Sequence, residues 1–565
     1  MIYQSPFPAP PTPRDVSISQ FLVRTNPDDV PADKPIICDF ENPSHKLTYG
    51  ELRTRAAQGA ATLRTAHGMK EGDVVCLFGH NSVNWMLLCH CVLWGGGCFA
   101  AINSLATPYE LVHYFSIAKP SIIAVDAALL PTVQKALAGA PKTPSSVAPR
   151  IIVIEDGQHG QLPAPLAALP KFPRDFIRFQ HQSVAAYDLG GRDNSTVMAG
   201  MCFSSGTSGK PKGVMLSHHT LIAQLLSSRA TNPFINNAHV NEVFYPPFGH
   251  IYGMVACVLF SAWVGHYVVA MKRFDFLPYL QRCADIRASV LRLVPATATR
   301  MTKDPAVRAL DLTSVRTVMV AGAALSSDTV RTLQRDLLDP QAVVLNGYGM
   351  TEVTIAMLRE TQSHRAGSLG RIAAGTEMRI VDDAFQDVPR GTDGQCLVRG
   401  PTMFMGYKDN VAETEGSFYT DPATGDRWFC TGDVVQMDDD GFLWMTGRKK
   451  ELIKFRGNQV PPAELEAILL EHPLVTDAGV CGVFDKALDT EVPVGAVTLA
   501  PSVAAADRPA VLKEVRAFMD DRVSPYKKLR GGLFHLDALP KGTTGKLQRR
   551  DILAALAAVQ DKAKL

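Results

Sequence analysis

Short runs of apolar, largely β-branched residues recur along the chain: DVVCLFG at 73–79, SIIAVD at 121–126, RIIVIED at 150–156, TVMVAG at 317–322 and AVVLNGYG at 342–349, with helical patterns between several of them. A strand apolar on both faces must be covered on both, and a crossover helix is what joins parallel strands. The alternation predicts an α/β fold built from parallel sheets with helices on both faces. At 565 residues the chain exceeds one core, and ordinary domain sizes give about two to four folding units. Near residue 445 the texture changes. A charged stretch, GRKKELIKFRGNQVPP, leads into AELEAILLEHP, where Leu465, Ile468 and Leu469 keep helical spacing and Pro473 ends it. AGVCGVFD, PVGAVTLA, a helix around VLKEVRAFMDD and a final helix after Lys546 complete a small α+β unit. The expected division is a large N-terminal domain over 1–447 and a small mobile C-terminal domain over 448–565.

Composition narrows the class. With 46% hydrophobic and 20% charged residues the chain is globular rather than disordered. A net charge of +2 offers no concentrated basic surface, so no nucleic-acid partner is expected. The eleven cysteines are odd in number and sit mostly in apolar runs such as WMLLCHCVLW, which predicts reduced core thiols. Cys89-His90-Cys91 lacks a second ligand pair at zinc spacing and is expected to be structural. The apolar stretch 251–271 is long enough to cross a bilayer, but Gly265-His266 divides it. A buried helix feeding a buried strand is expected there, with no transmembrane segment. No export signal is evident in MIYQSPFPAPPTPRD. The terminal Ala-Lys-Leu is a close variant of the Ser-Lys-Leu address, so a peroxisomal import receptor is the expected partner and the peroxisome the expected location.

The stretch SSGTSGKPKG, from Ser204 to Gly213, has the glycines and donors of an anion loop. It is not a Walker A loop: only two residues separate Gly206 from Gly209, and Pro211 follows Lys210 where a metal-binding hydroxyl belongs. A Mg²⁺ ligand must come from elsewhere, and Glu352, closing NGYGMTE after a predicted strand, is a candidate. Asp433, closing WFCTGD, has the chemistry to accept hydrogen bonds from both hydroxyls of a ribose. Arg448, Lys450, Lys454 and Arg456 in GRKKELIKFRG, and Lys541 and Lys546 in LPKGTTGK, are suited to anions.

Together and in this order, these motifs resemble the adenylate-forming superfamily of acyl-CoA synthetases, peptide-synthetase adenylation domains and beetle luciferases. The resemblance runs from LTYGEL at 47–52 to GKLQRRDIL at 545–553. GYGMTE, GHIYG, ELIKFRGNQVPPAELE and LPKGTTGK look most like 4-coumarate-CoA ligases and their relatives. The resemblance implies ATP and coenzyme A as cosubstrates and Mg²⁺ as the ion. A carboxylic acid would react with ATP to give an acyl-adenylate and pyrophosphate, and CoA would then displace AMP. Carried over residue by residue, Ser204, Ser205, Gly206, Thr207, Ser208 and Lys212 would hold phosphates, Thr351 the α-phosphate region and Glu352 the Mg²⁺. Ala323, Asn346, Gly347 and Tyr348 would frame the adenine, while Asp433 and Arg448 would grip the ribose. Lys546 would bridge the carboxylate and the α-phosphate. Arg456 and Gly457, with Arg273, would line the CoA path, and the pivot between domain orientations would fall at Lys450. His250 would gate the passage between acyl pocket and CoA tunnel. Tyr252, Ala256, Ala323, Gly349 and the run Val353 to Met357, with Ile355 at its centre, would form the acyl pocket.

Two departures from the family pattern bear on that pocket. Gly249 stands where many relatives carry a bulky residue, and Val-Thr-Ile replaces the Ala-Gly-Pro that follows Thr-Glu in plant hydroxycinnamate ligases. Hydroxycinnamic or other aryl acids rank first as expected substrates, medium-chain fatty acids next. A peptide-synthetase module is disfavoured, because no carrier segment with a phosphopantetheine serine follows Lys546. A luciferase-like oxygenase and a non-catalytic acyl- or nucleotide-binding protein are the alternatives.

Overall fold

The structure, a computed structural model, describes residues 1–565 except 140–147, 156–167, 178–182, 205–210, 321–326, 358–367, 449–450, 456–457, 486–487, 489, 524, 543–546 and 563–565. The apolar runs form the centres of two sheets. In an eight-stranded sheet among the described residues, Val74–Phe78 lies between Cys98–Ile102 and Ile122–Asp126, all parallel, with Arg150–Ile154 parallel beyond. Met198–Ser204 extends this sheet parallel to Cys98–Ile102, and Lys212–Ser217 returns antiparallel, so that Lys212 stands opposite Ser204.

A second sheet, nine-stranded among the described residues, has Asn241–Phe244 in its interior between parallel Tyr267–Ala270 and Val290–Leu293. Thr317–Val320 and Val343–Met350 continue it in parallel, and Val353–Met357 turns back antiparallel. Burial explains the composition of these strands: Val74–Phe78 and Cys98–Ile102 are buried at every position.

A third sheet departs from the expectation of helix-covered parallel strands. Glu377–Val381, Gly394–Arg399, Arg427–Met437 and Leu443–Arg448 pair antiparallel in sequence. Their polar and apolar residues are mixed, as in RWFCTGDVVQM, because one side of an antiparallel strand can face water. Such strands carry no continuous apolar run, which is why the pattern of runs does not reveal them.

The smaller C-terminal domain has its own hydrophobic core. Val475–Asp485 and Thr490–Leu499 pair antiparallel, and Leu533–His535 joins in parallel. The helices Pro462–Glu471 and Arg508–Asp520 bring Leu465, Leu469, Val515 and Met519 against Val480 and Val497. The final helix is Ile552–Lys562.

The 251–271 stretch divides as expected. Ile251–Gly253, a π-helical segment Met254–Leu259 and Phe260–Val264 form one helical run. Gly265 ends it at φ +69, a left-handed conformation that glycine adopts without a Cβ clash, and the strand Tyr267–Ala270 follows. No helix of the described residues is long and apolar enough to cross a membrane. None of the eleven cysteines is joined in a disulfide. His90 is buried in the helix Val83–Trp94 and bonds Val258 O through Nε2 at 3.0 Å, while burial lowers its pKa to about 4, so it is a neutral packed imidazole.

Candidate functional site

The strand Val343–Met350 supplies one wall of the site. Its alternation buries Asn346 and Tyr348 while Gly347 and Gly349 face outward, so the open side of the strand carries no side chain between them. The Tyr348 phenol donates to Asp433 Oδ2 at 2.6 Å. Asp433 lies directly opposite Arg448 in the pairing of Arg427–Met437 with Leu443–Arg448, and Arg448 Nε approaches Asp433 Oδ1 at 3.0 Å. The carboxylate is almost wholly buried; burial raises its pKa, with Arg448 and the Tyr348 bond opposing. Asn346 Nδ2 donates to Ser368 O at 2.9 Å, whereas its Oδ1 is buried without a hydrogen-bond partner among the described residues.

Thr351 and Glu352 occupy the turn after that strand, both buried. The Tyr407 phenol donates to Glu352 Oε1 at 3.0 Å, and Phe404 N–H donates to the Glu352 carbonyl at 2.9 Å. Burial raises the Glu352 pKa, against the lowering influence of Tyr407, Ser204 and Lys212. The Ser204 hydroxyl is near enough to act on that carboxylate without closing a hydrogen bond of ordinary length. The Lys212 ammonium pairs with Glu413 and lies 4.8 Å from the centre of the Tyr407 ring. Ser204, Lys212 and Glu352 are therefore brought together, and Tyr407 and Glu413 join them without any sequence signal beyond their residue types. No group of three or more His, Cys, Asp or Glu among the described residues is arranged to hold a metal.

The third part of the site is GHIYG. A Cβ at Gly253 would collide with Pro247 O, and one at Gly249 with the Ile102 carbonyl. The bulky residue of the family pattern has no room at Gly249 in this chain. Asn81 holds the preceding segment: its Nδ2 donates to Pro246 O at 2.9 Å and its Oδ1 accepts from Phe248 N–H at 2.8 Å. His250 caps the helical run, its Nδ1 accepting from Tyr252 N–H at 3.2 Å. Tyr252 and Ala256 are half-buried, Ala256 within the π-helical segment. The Tyr252 phenol oxygen accepts from Arg292, a partner that sequence reasoning misses. Arg273 is exposed shortly after the strand Tyr267–Ala270.

Ser205, Gly206, Thr207, Ser208, Ala323, Lys450, Arg456, Gly457 and Lys546 lie outside the described residues, as do the side chains of Ile355 and Lys454. Next to Lys546, Leu547 forms an antiparallel bridge with Lys541, whose ammonium pairs with Asp477 at 2.5 Å.

Residues 23–408 match the family described as AMP-binding enzyme, and residues 464–546 match the AMP-binding enzyme C-terminal domain. The chain is 31% identical over 521 residues to 4-coumarate–CoA ligase-like 4 of Oryza sativa subsp. japonica, spanning 90% of this chain and 88% of the relative. It is 30% identical over 515 residues to peroxisomal OPC-8:0-CoA ligase 1 of Arabidopsis thaliana, again 90% of this chain and 88% of the relative. Among solved structures it is similar to an anthranilate CoA ligase in complex with anthranoyl-AMP, with a TM-score of 0.82 at 22% identity, covering 97% of this chain and 99% of that one.

Proposed function

The chain belongs to the AMP-binding enzyme family, among its acyl- and aryl-CoA ligases, and from that premise we propose that it converts a hydrophobic carboxylic acid to its CoA thioester through an acyl-adenylate. In the first step a carboxylate oxygen bonds to the α-phosphorus of ATP and the bond to pyrophosphate breaks. In the second, the CoA thiol gives up its proton and attacks the acyl carbonyl, and AMP leaves. No protein nucleophile is needed; the chain contributes position and charge.

The observation that supports this reading is the run from Asn346 to Glu352, which joins a strand face bare of side chains at Gly347 and Gly349 to a buried carboxylate. The unpartnered Asn346 Oδ1 suits the exocyclic amine of adenine, and the bare outward side of Gly347 leaves room for its ring. Asp433 and Arg448 suit the ribose hydroxyls. Ser204 and Lys212, with Ser205, Gly206, Thr207 and Ser208 between them in sequence, suit the phosphates, and Thr351 the α-phosphate region.

Glu352 fits Mg²⁺ as a single buried carboxylate, since Mg²⁺ at a nucleotide takes its other ligands from phosphates and water. When bound, the ion would neutralise charge on the phosphates. Lys546 would neutralise charge as the adenylate forms. Arg456, Gly457 and Arg273 would guide CoA, Lys454 would add positive charge, and His250 would gate its approach to the acyl carbonyl.

For the acid, an aryl acid of the hydroxycinnamic type is favoured over a medium-chain fatty acid, in keeping with the relatives named as 4-coumarate ligases. The relative named as peroxisomal supports reading the terminal Ala-Lys-Leu as an import address, which deletion of these three residues would abolish in a tagged import assay. The function is tested by offering a panel of aryl and alkyl acids with ATP, Mg²⁺ and CoA and measuring thioester. Thioester and AMP from at least one class are expected; no thioester from any acid contradicts the reading.

A further inference from the structure

The strand Met198–Ser204 and its antiparallel partner Lys212–Ser217 present two faces. Ser204 stands opposite Lys212, and both turn to the face that carries Tyr407 and Glu352. One position further into the pair, Phe203 stands opposite Gly213, and strand alternation turns these two to the other face. There the helix Pro108–Ala118 packs on them. The Tyr114 ring lies 4.5 Å from that of Phe203, centre to centre, and a Cβ at Gly213 would stand 2.7 Å from Ile117 Cγ2. The absence of a side chain at Gly213 is what lets the helix approach this closely.

The same helix makes one directed contact. His113 Nε2 lies 2.8 Å from Pro211 O. A carbonyl oxygen only accepts, so the imidazole donates and Nε2 carries the proton. Pro211 immediately precedes Lys212 and has no N–H of its own, so its carbonyl is the one main-chain group by which the chain can be held there. The helix is itself fixed at both ends: Thr107 and Glu110 close a capping box at its start, and Lys119, which caps its end, pairs with Asp409 at 2.7 Å. One helix thus holds the chain on both sides of 205–210, at Phe203 before it and at Pro211 and Gly213 after it.

We propose that His113 is a positioning residue for the nucleotide phosphates beyond the first: by holding Pro211 O, with Tyr114 on Phe203, it fixes the backbone on which Ser204 and Lys212 are mounted and so their aim at the β- and γ-phosphates. This deepens the ligase reading and rests on the phosphate role proposed for Ser204 and Lys212. A nucleotide without those phosphates is indifferent to His113.

The test uses the full chain with Mg²⁺ and measures dissociation constants for ATP and for AMP by calorimetry, together with thioester formation from a supplied acyl-adenylate and CoA. His113→Ala is expected to weaken ATP binding about fivefold, the worth of one hydrogen bond, while AMP affinity and the adenylate-to-thioester step stay within about twofold. His113→Gln sets an amide N–H where the imidazole N–H stood and should restore ATP affinity to within about twofold of the unaltered protein. His113→Leu fills the space without a donor and should behave as His113→Ala, so it decides the matter should that variant not fold. A role in packing alone would weaken ATP and AMP alike and give no rescue by Gln. Either of those results, or ATP affinity unchanged by the loss of the donor, overturns the proposal while the ligase reading stands. An unaltered protein that binds neither nucleotide overturns both.

Discussion

Asp433 and Glu352 are buried acids whose charge the fold disfavours and the proposed chemistry requires. Burial raises both pKa values above their ordinary 3.8 and 4.5. An acid raised by folding binds its proton more readily in the native than in the unfolded chain, so stability falls as pH climbs from the ordinary value through the folded one, and the loss persists above it. Asp433→Asn and Glu352→Gln keep the shape and remove that cost. Each is expected to melt above the unaltered protein near neutral pH, by about 1 °C or more, with the gap closing as pH falls below the ordinary carboxylate range. Thermal denaturation across pH checks this, and a variant that melts lower at neutral pH and higher in acid would contradict it. Asp433→Asn should also raise the KM for ATP by roughly 10- to 100-fold, the worth of hydrogen bonds to a charged acceptor. Asp433 and Arg448 were readable from the sequence because each closes or opens a recognisable motif. Tyr407, Glu413, Glu242 and Arg292 were not. Glu352 and Tyr407 are 55 positions apart, Lys212 and Glu413 are 201 apart, and Glu242 and Arg292 are 50 apart; strand pairing makes the last two neighbours, and tertiary packing the other four.

At the scale of elements, two glycine-bearing segments serve different ends. In GHIYG the backbone itself is crowded: Gly253 packs against Pro247 and Gly249 against Ile102, with Tyr252 half-buried between them and Ala256 half-buried in the π-helical segment that follows. In Val343–Met350 a Cβ at Gly347 would meet, among the described residues, only Met319 Cε at 3.7 Å, an ordinary contact. Gly253→Ala should therefore lose about 2 kcal/mol or more of stability through forced backbone movement. Gly347→Ala should fold normally and instead raise the KM for ATP by about tenfold, because its methyl enters the space assigned to the base. Melting temperatures together with ATP titrations separate the two outcomes; the reverse pattern would remove the nucleotide from this wall. Continuous apolar runs exposed the parallel strands and the division at Gly265 to sequence reasoning. The antiparallel third sheet escaped it because strands wetted on one side, such as Arg427–Met437, offer no such run, yet this sheet holds both Asp433 and Arg448.

For the whole molecule, the two domains have separate cores, and the proposed chemistry uses both. The large domain carries the wall proposed for the nucleotide, and the small one carries Lys546 and the IKFRG segment. If the pivot lies at Lys450, as the resemblance implies, its φ would have to change between orientations, which proline forbids by fixing φ at about −65°. Lys450→Pro is expected to spare adenylation and block thioester formation. Lys546→Ala should lower adenylation by about two orders of magnitude or more, yet still transfer a supplied acyl-adenylate to CoA. Equal damage to both steps in both variants would remove the two-orientation account. The central claim, an adenylate formed before CoA acts, meets its most direct test in the unaltered enzyme mixed with ATP, Mg²⁺ and a turned-over acid but no CoA, quenched and analysed for products, then chased with CoA. The account predicts acid-dependent pyrophosphate and enzyme-bound acyl-AMP before the chase, and thioester with AMP after it. ADP with phosphate, or no cleavage of ATP until CoA is added, would contradict it.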